Sequence, residues 1–367
     1  MSSPELKKTP FYDFHLKNSA KMVEFAGYWM PIQFQGIIQE HRKVRSKVGL
    51  FDITHMGEFE VHGKDALAFL QKVTTNDVSK LKRYQVQYCC MCYPDGGIVD
   101  DLLIYKLHNY YMLVVNATNI DKDFQWLNDN LFGDVNLINK SDETALLAIQ
   151  GPDAEKILTK LTDVDLNKMR YYWSNFGRVS GVDLLFSRTG YTGEDGFELY
   201  FSFCHAENLW TSCMEAGKEM EIEPIGLGAR DSLRLEMKYA LYGNDIDQTT
   251  NPIEAGLGWI VKLDKGDFIG RDVILKVKKD GPKRKLVCFV LKDKGFPRKG
   301  YDIQKNGEKI GKVTSGIFSP SLEKGIGVGY VSTEFAKLGE SVDILIRGKP
   351  FSAEIIKPPF YKNFTHK

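Results

Sequence analysis

Apolar residues fall at helical spacing in some stretches of the chain and at alternate positions in others. Ile38, His41, Val44 and Val48 are spaced for one face of a helix that stops at Gly49. The basic residues between them, Arg42, Lys43, Arg45 and Lys47, form its solvated face. The second half of 51–61 alternates as a strand does, and its first half, with His55 and Met56 before Gly57, is a loop at a strand mouth. A helix over 65–73 follows. Strands are expected over 84–92, 98–107 and 110–115, then a helix over 119–131 and a strand over 134–138. Strand, helix, three strands, helix, strand is a ferredoxin-like α+β unit with one extra strand. A second α+β unit follows, with strands over 145–149, 178–187 and 197–202 and helices to 161 and over 205–220. After Gly281-Pro282 short strands recur between Gly, Pro or Asn turns, over 285–291, 309–314, 326–331, 341–346 and 351–357. That is a small C-terminal β-barrel or sandwich.

One strand departs from the apolar pattern. Tyr93-Pro94-Asp95-Gly96-Gly97 is a turn into Ile98-Val99-Asp100-Asp101-Leu102-Leu103-Ile104-Tyr105. Simple alternation places Asp101 with Val99, Leu103 and Tyr105, and Asp100 with Ile98, Leu102 and Ile104. Strands disfavour Asp, and burying an unpaired carboxylate is costly. With two on opposite faces, either one meets a cleft or partner or the strand is an edge with one wet face. Asp101 and Tyr105 would lie about 13 Å apart, a span that suits an elongated ligand.

Composition changes this picture little. Hydrophobic content of 43% and charged content of 26% are those of a soluble globular protein, and a net charge of +1 offers no global field for nucleic acid or an anionic membrane. Cys89 and Cys92 are formally a CxxC pair without a second pair, so no zinc site is expected. The free thiols, and an N-terminus without an apolar signal core, point to the cytoplasm.

Two glycine-containing segments carry candidate binding groups. Arg188-Thr189-Gly190-Tyr191-Thr192-Gly193-Glu194-Asp195-Gly196 is a tight loop that lacks the ending of a phosphate loop. It leads into Glu198, which by itself is a strand residue on a wet face. Gly226-Leu227-Gly228-Ala229-Arg230-Asp231 starts a helix on which Arg230 and Arg234 share a face, solvated unless a pocket is near. A Glu and an Arg converging on a pocket could read a planar, polar heterocycle.

Taken in order, these segments resemble the aminomethyltransferase of the glycine cleavage system, the T-protein family. The likeness runs through Gly49-Leu50-Phe51-Asp52, His55-Met56-Gly57-Glu58, Gly96-Gly97-Ile98-Val99-Asp100-Asp101, Gln150-Gly151-Pro152, the 188–196 loop, Tyr242-Gly243-Asn244-Asp245, Thr314-Ser315-Gly316 and Lys357-Pro358-Pro359-Phe360. The resemblance implies an α+β fold with three domains in a ring around a central folate site. They are 1–50 plus 140–245, a ferredoxin-like 51–139 plus 246–280, and a barrel over 281–367. It implies transfer of the methylene carbon of an aminomethyl group, carried on the dihydrolipoyl arm of H-protein, to tetrahydrofolate. The products are 5,10-methylenetetrahydrofolate and ammonia. Asp101 matches the catalytic Asp, Glu198 the acid that reads the pterin edge, and Arg230 the Arg beside the folate. Met56, Tyr88, Tyr105 and Asn116 match pocket positions. Lipoylated H-protein is the expected partner, with no metal, no nucleic acid and no membrane, for a monomer or weak homodimer.

Two rivals share the resemblance. A folate-dependent demethylase module usually carries a flavin domain, for which no Gly-x-Gly-x-x-Gly is present. A folate-binding protein of iron–sulfur maintenance and tRNA modification builds its loop around a Cys, where this chain has Thr189-Gly190-Tyr191-Thr192.

Overall fold

The computed structural model describes residues 5–366. Two large sheets, a small three-stranded sheet and a barrel organise the described residues. The first sheet runs Val86–Cys92, Ile98–Lys106, Tyr111–Val115, Gly57–His62 and Asn136–Asn139 in spatial order. It is antiparallel throughout. Helices Ala66–Val73 and Ile120–Asp129 cover one face, where Phe59, Phe69, Leu102, Ile104 and Leu113 form a core.

The second sheet runs Ser174–Val179, Val182–Ser187, Gly196–Ser202, Thr144–Gln150, Gly49–Asp52 and Glu223–Ile225. The stretch expected as one strand over 178–187 is a hairpin, because Ser180 and Gly181 take positive φ and turn the chain. Helices Ala154–Leu161 and Ala206–Ala216 cover its outer face around Phe186, Phe197 and Trp210. The inner faces of both sheets meet in one core, where Phe51, Leu146 and Tyr200 pack with Tyr105, Met112 and Val114. The small sheet is a hairpin, Lys21–Phe25 with Tyr28–Gln33, to which Lys7–Lys8 adds a parallel strand.

The C-terminal strands close into a six-stranded barrel. It has one strand more than the pattern shows: Asp302–Lys305 carries a single apolar residue, Ile303, so it has no alternation to display. Buried polar bonds fasten the barrel to the helix Leu227–Glu236. Arg234 bonds Asp245 at 2.6 Å and Ser315 at 2.9 Å, while Ser319 and Ser321 donate to Glu236. No helix among the described residues is long and apolar enough to cross a membrane.

Candidate active site

A cavity of about 1140 Å³ lies where these units meet. Its wall includes Met56, Tyr88, Asp101, Asn116, Glu198 and Arg230. Each is brought there by local chemistry that the chain specifies.

Asp101 arrives through the turn before it. Tyr93 and Gly97 close the turn at 2.8 Å, and Asp95 Oδ1 accepts from the Gly97 N–H. Gly97 has no substitute, because a Cβ there would lie 2.0 Å from the Gln248 carbonyl oxygen. A bulge follows: Cys92 pairs with Ile98 while Met91 pairs with Asp100, leaving Val99 as the extra residue. The bulge overturns the expected alternation. Val99 joins Leu102 and Ile104 in the core under the helices, and Ile98 goes to the opposite cluster. Asp101 keeps its place on the side of Leu103 and Tyr105, toward the cavity.

Both carboxyl oxygens of Asp101 are held. Tyr88 Oη donates to Oδ2 at 2.8 Å, and Asn116 Nδ2 donates to Oδ1 at 2.9 Å. Burial, and then the charge of Asp100, push the Asp101 carboxyl up to about 7. At neutral pH it is present in both protonation states, which is what a group that takes and returns a proton requires.

Glu198 follows the 188–196 loop, which is locked from inside. Arg188 bonds Asp195 at 2.8 and 2.5 Å and caps the Leu166 and Met169 carbonyls. Gly190 packs against Gln150, whose Nε2 donates to the Thr189 carbonyl at 3.0 Å. Thr189 Oγ1 in turn donates to Glu198 Oε2 at 2.5 Å, and Tyr200 Oη donates to the same oxygen at 3.3 Å. Burial raises the Glu198 carboxyl, while these donors and the Arg230 charge oppose the rise. Arg230 stacks over the Tyr191 ring at 4.6 Å. Among the described residues no carboxylate comes within ion-pair distance of it, so its donors are available to a ligand. The cavity thus combines a carboxyl suited to proton transfer, a Glu and Arg suited to a polar heterocycle, and aromatic walls such as Tyr88 against Trp259 at 5.9 Å.

Residues 11–265 match the GCVT N-terminal domain, and residues 284–362 match the glycine cleavage T-protein C-terminal barrel domain. An aminomethyltransferase of Caldanaerobacter subterraneus subsp. tengcongensis is 51% identical over 364 residues, covering 98% of this chain and 97% of its own. The chain belongs to the aminomethyltransferase (T-protein) family. A Porphyromonas gingivalis aminomethyltransferase is 54% identical over 363 residues, covering 97% of this chain and all of its own. The crystal structure of glycine cleavage system aminomethyltransferase T from Bartonella henselae matches with a TM-score of 0.92 at 35% identity. It covers 99% of this chain and all of that one.

Within this aminomethyltransferase fold, six of the seven residues singled out in the sequence line one cavity. Tyr105 does not. It is fully buried behind the wall, where its hydroxyl meets Tyr200 at 2.7 Å and Ser187 at 3.2 Å. Its strand position is on the cavity side, but the second sheet packs over it. Arg234, on the same helix face as Arg230, is a bolt to the barrel rather than a cavity group. The sequence reading missed Tyr200, Tyr239 and Trp259 in the wall. Tyr200 was within reach, since a strand residue two places from Glu198 shares its face.

Proposed function

We propose that this glycine cleavage system aminomethyltransferase binds tetrahydrofolate in the central cavity, with Asp101 as its proton-transferring group. The observation that carries this is the pair of donors that hold Asp101 in the cavity wall, where burial and the Asp100 charge push its carboxyl up to about 7. Glu198 and Arg230 would read the pterin edge, and Met56, Tyr88 and Asn116 would complete the wall around it.

The reaction is balanced without an outside reagent. The C–S bond of the aminomethyl thioether and its C–N bond break, and two new C–N bonds form to the folate nitrogens. The two N–H protons of tetrahydrofolate end on the lipoyl sulfur and on ammonia. Tetrahydrofolate supplies the accepting nitrogens; Asp101 supplies a place for a proton between its departure and its return. Tyr88 and Asn116 fix the carboxylate so that it does not reorganise as cationic character develops beside it. Met56 and Trp259 stand in the same wall.

Lipoylated H-protein is the donor in this reading, and the cytoplasm its place. The experiment is turnover of purified protein with aminomethylated H-protein and tetrahydrofolate, following methylenetetrahydrofolate and ammonia. Turnover that needs both partners supports the reading; folate binding without turnover contradicts it and favours the demethylase or maintenance alternatives.

A further inference from the structure

Asp101 is backed by two more acids. Asp100 points away from the cavity and is fully buried. It accepts from the Asn116 N–H at 3.1 Å, from Asn116 Nδ2 at 2.9 Å and from Asn119 Nδ2 at 2.7 Å. The same Asn116 amide donates to Asp101, so one side chain holds both carboxyls. Asp123, in the helix that begins just after Asn119, is also fully buried. Among the described residues no N–H or O–H donor reaches either of its oxygens. Lys122 Nζ stands 3.6 Å away and bonds the Val99 carbonyl and the Tyr242 hydroxyl instead. Lys122 is thus an ion-pair neighbour rather than a hydrogen-bond partner, and Asp123, one helical turn after the Asn119 that bonds Asp100, sets its carboxyl against that of Asp100.

Two carboxyls in contact share one proton, because both cannot ionise side by side. Burial and the Asp100 charge raise Asp123 well above the carboxylate range, so the proton rests on Asp123 and is donated to Asp100. A leucine at 123 would fill the same space without burying a carboxyl, so the acid is present at a cost.

We infer that Asp123 is a positioning residue for the transfer reaction: its carboxyl proton keeps Asp100 ionised, and Asp100 with Asn116 sets the charge state and orientation of Asp101. The inference rests on Asp101 being the reacting carboxyl. The other titratable groups facing these acids are Lys122 on the helix, Tyr93 and Tyr242 from the loops, and Tyr88 and Cys90 from the neighbouring strand. Without the Asp123 donor, Asp100 takes up a proton itself. The charge beside Asp101 is then lost, and Asp101 ionises at lower pH.

The test is kcat against pH, over about pH 5–9, for the full chain with aminomethylated H-protein and tetrahydrofolate. Wild type, Asp123→Leu, Asp123→Asn, Asp100→Asn and Asp101→Asn are compared. Asp123→Leu should move the midpoint of the rising limb about one pH unit lower, a tenfold change in the ionisation constant. Its kcat should fall while KM for tetrahydrofolate holds. Asp123→Asn keeps an N–H donor to Asp100 and should restore the wild-type midpoint. Asp100→Asn removes the charge directly and should give the same acid shift, which decides the matter if the Leu variant does not fold. An unmoved or alkaline-shifted midpoint in Asp123→Leu or Asp100→Asn overturns the inference. If Asp101→Asn abolishes the limb while those midpoints stay put, only this inference fails. If Asp101→Asn retains the limb, the Asp101 reading fails and takes the inference with it.

Discussion

Asp101, half-buried, and Glu198, buried, are carboxyls in the wall of one cavity, and their surroundings make them different tools. Asp101 has a like charge behind it and, among the described residues, no cation within ion-pair distance, so its carboxyl is pushed up to about 7. Glu198 faces Arg230 and accepts from Thr189 and Tyr200, all of which favour its charged form. The first environment suits a group that changes its protonation state during a reaction; the second suits a group that holds a ligand. Burial alone separates neither pair of roles, since desolvation is the largest influence on both. The neighbours decide.

The comparison breaks most sharply at Asp101. Asp101→Asn should lower transfer by about a hundredfold or more while tetrahydrofolate affinity stays within about threefold, as read by single-turnover kinetics and equilibrium binding. Glu198→Gln should do the reverse, weakening tetrahydrofolate binding by about tenfold or more through loss of charge-assisted bonds, with kcat at saturation less affected. Tyr88→Phe removes a donor that favours ionised Asp101. The midpoint of the pH–rate limb should therefore rise above about 7, with kcat down roughly fivefold. The smallest effect is on stability. The folded pKa of Asp101 is raised, so the native state holds a proton that the unfolded chain gives up between about pH 4 and pH 7. Stability contributed by this group is therefore lost as pH rises through that window. Asp101→Asn should melt higher than wild type above pH 7, by about 2 °C, and calorimetry at two pH values checks it.

Much of this was legible in the chain. The turn at Pro94–Gly97 and two aspartates in an apolar strand already marked the strand that carries Asp101 into the cavity wall. The order of helices and strands marked two α+β units and a barrel. What stayed hidden were features without a periodic signal. The bulge at Val99 swaps the faces of two residues, and nothing in an apolar run announces it. The strand Asp302–Lys305 is nearly all polar. Tyr105 has the strand position of a cavity residue, and only the packing of the second sheet puts it behind the wall. Asp123 is one acid among several on a helix; its burial against Asp100 depends on how that helix lies on the sheet.

The most direct test measures two quantities on the same two variants: tetrahydrofolate affinity and the rate of methylene transfer for Asp101→Asn and Glu198→Gln. The account predicts opposite patterns, with transfer lost and affinity kept in the first, and affinity lost with transfer at saturation largely kept in the second. Equal losses of both quantities in both variants would contradict the division of labour between the two carboxyls.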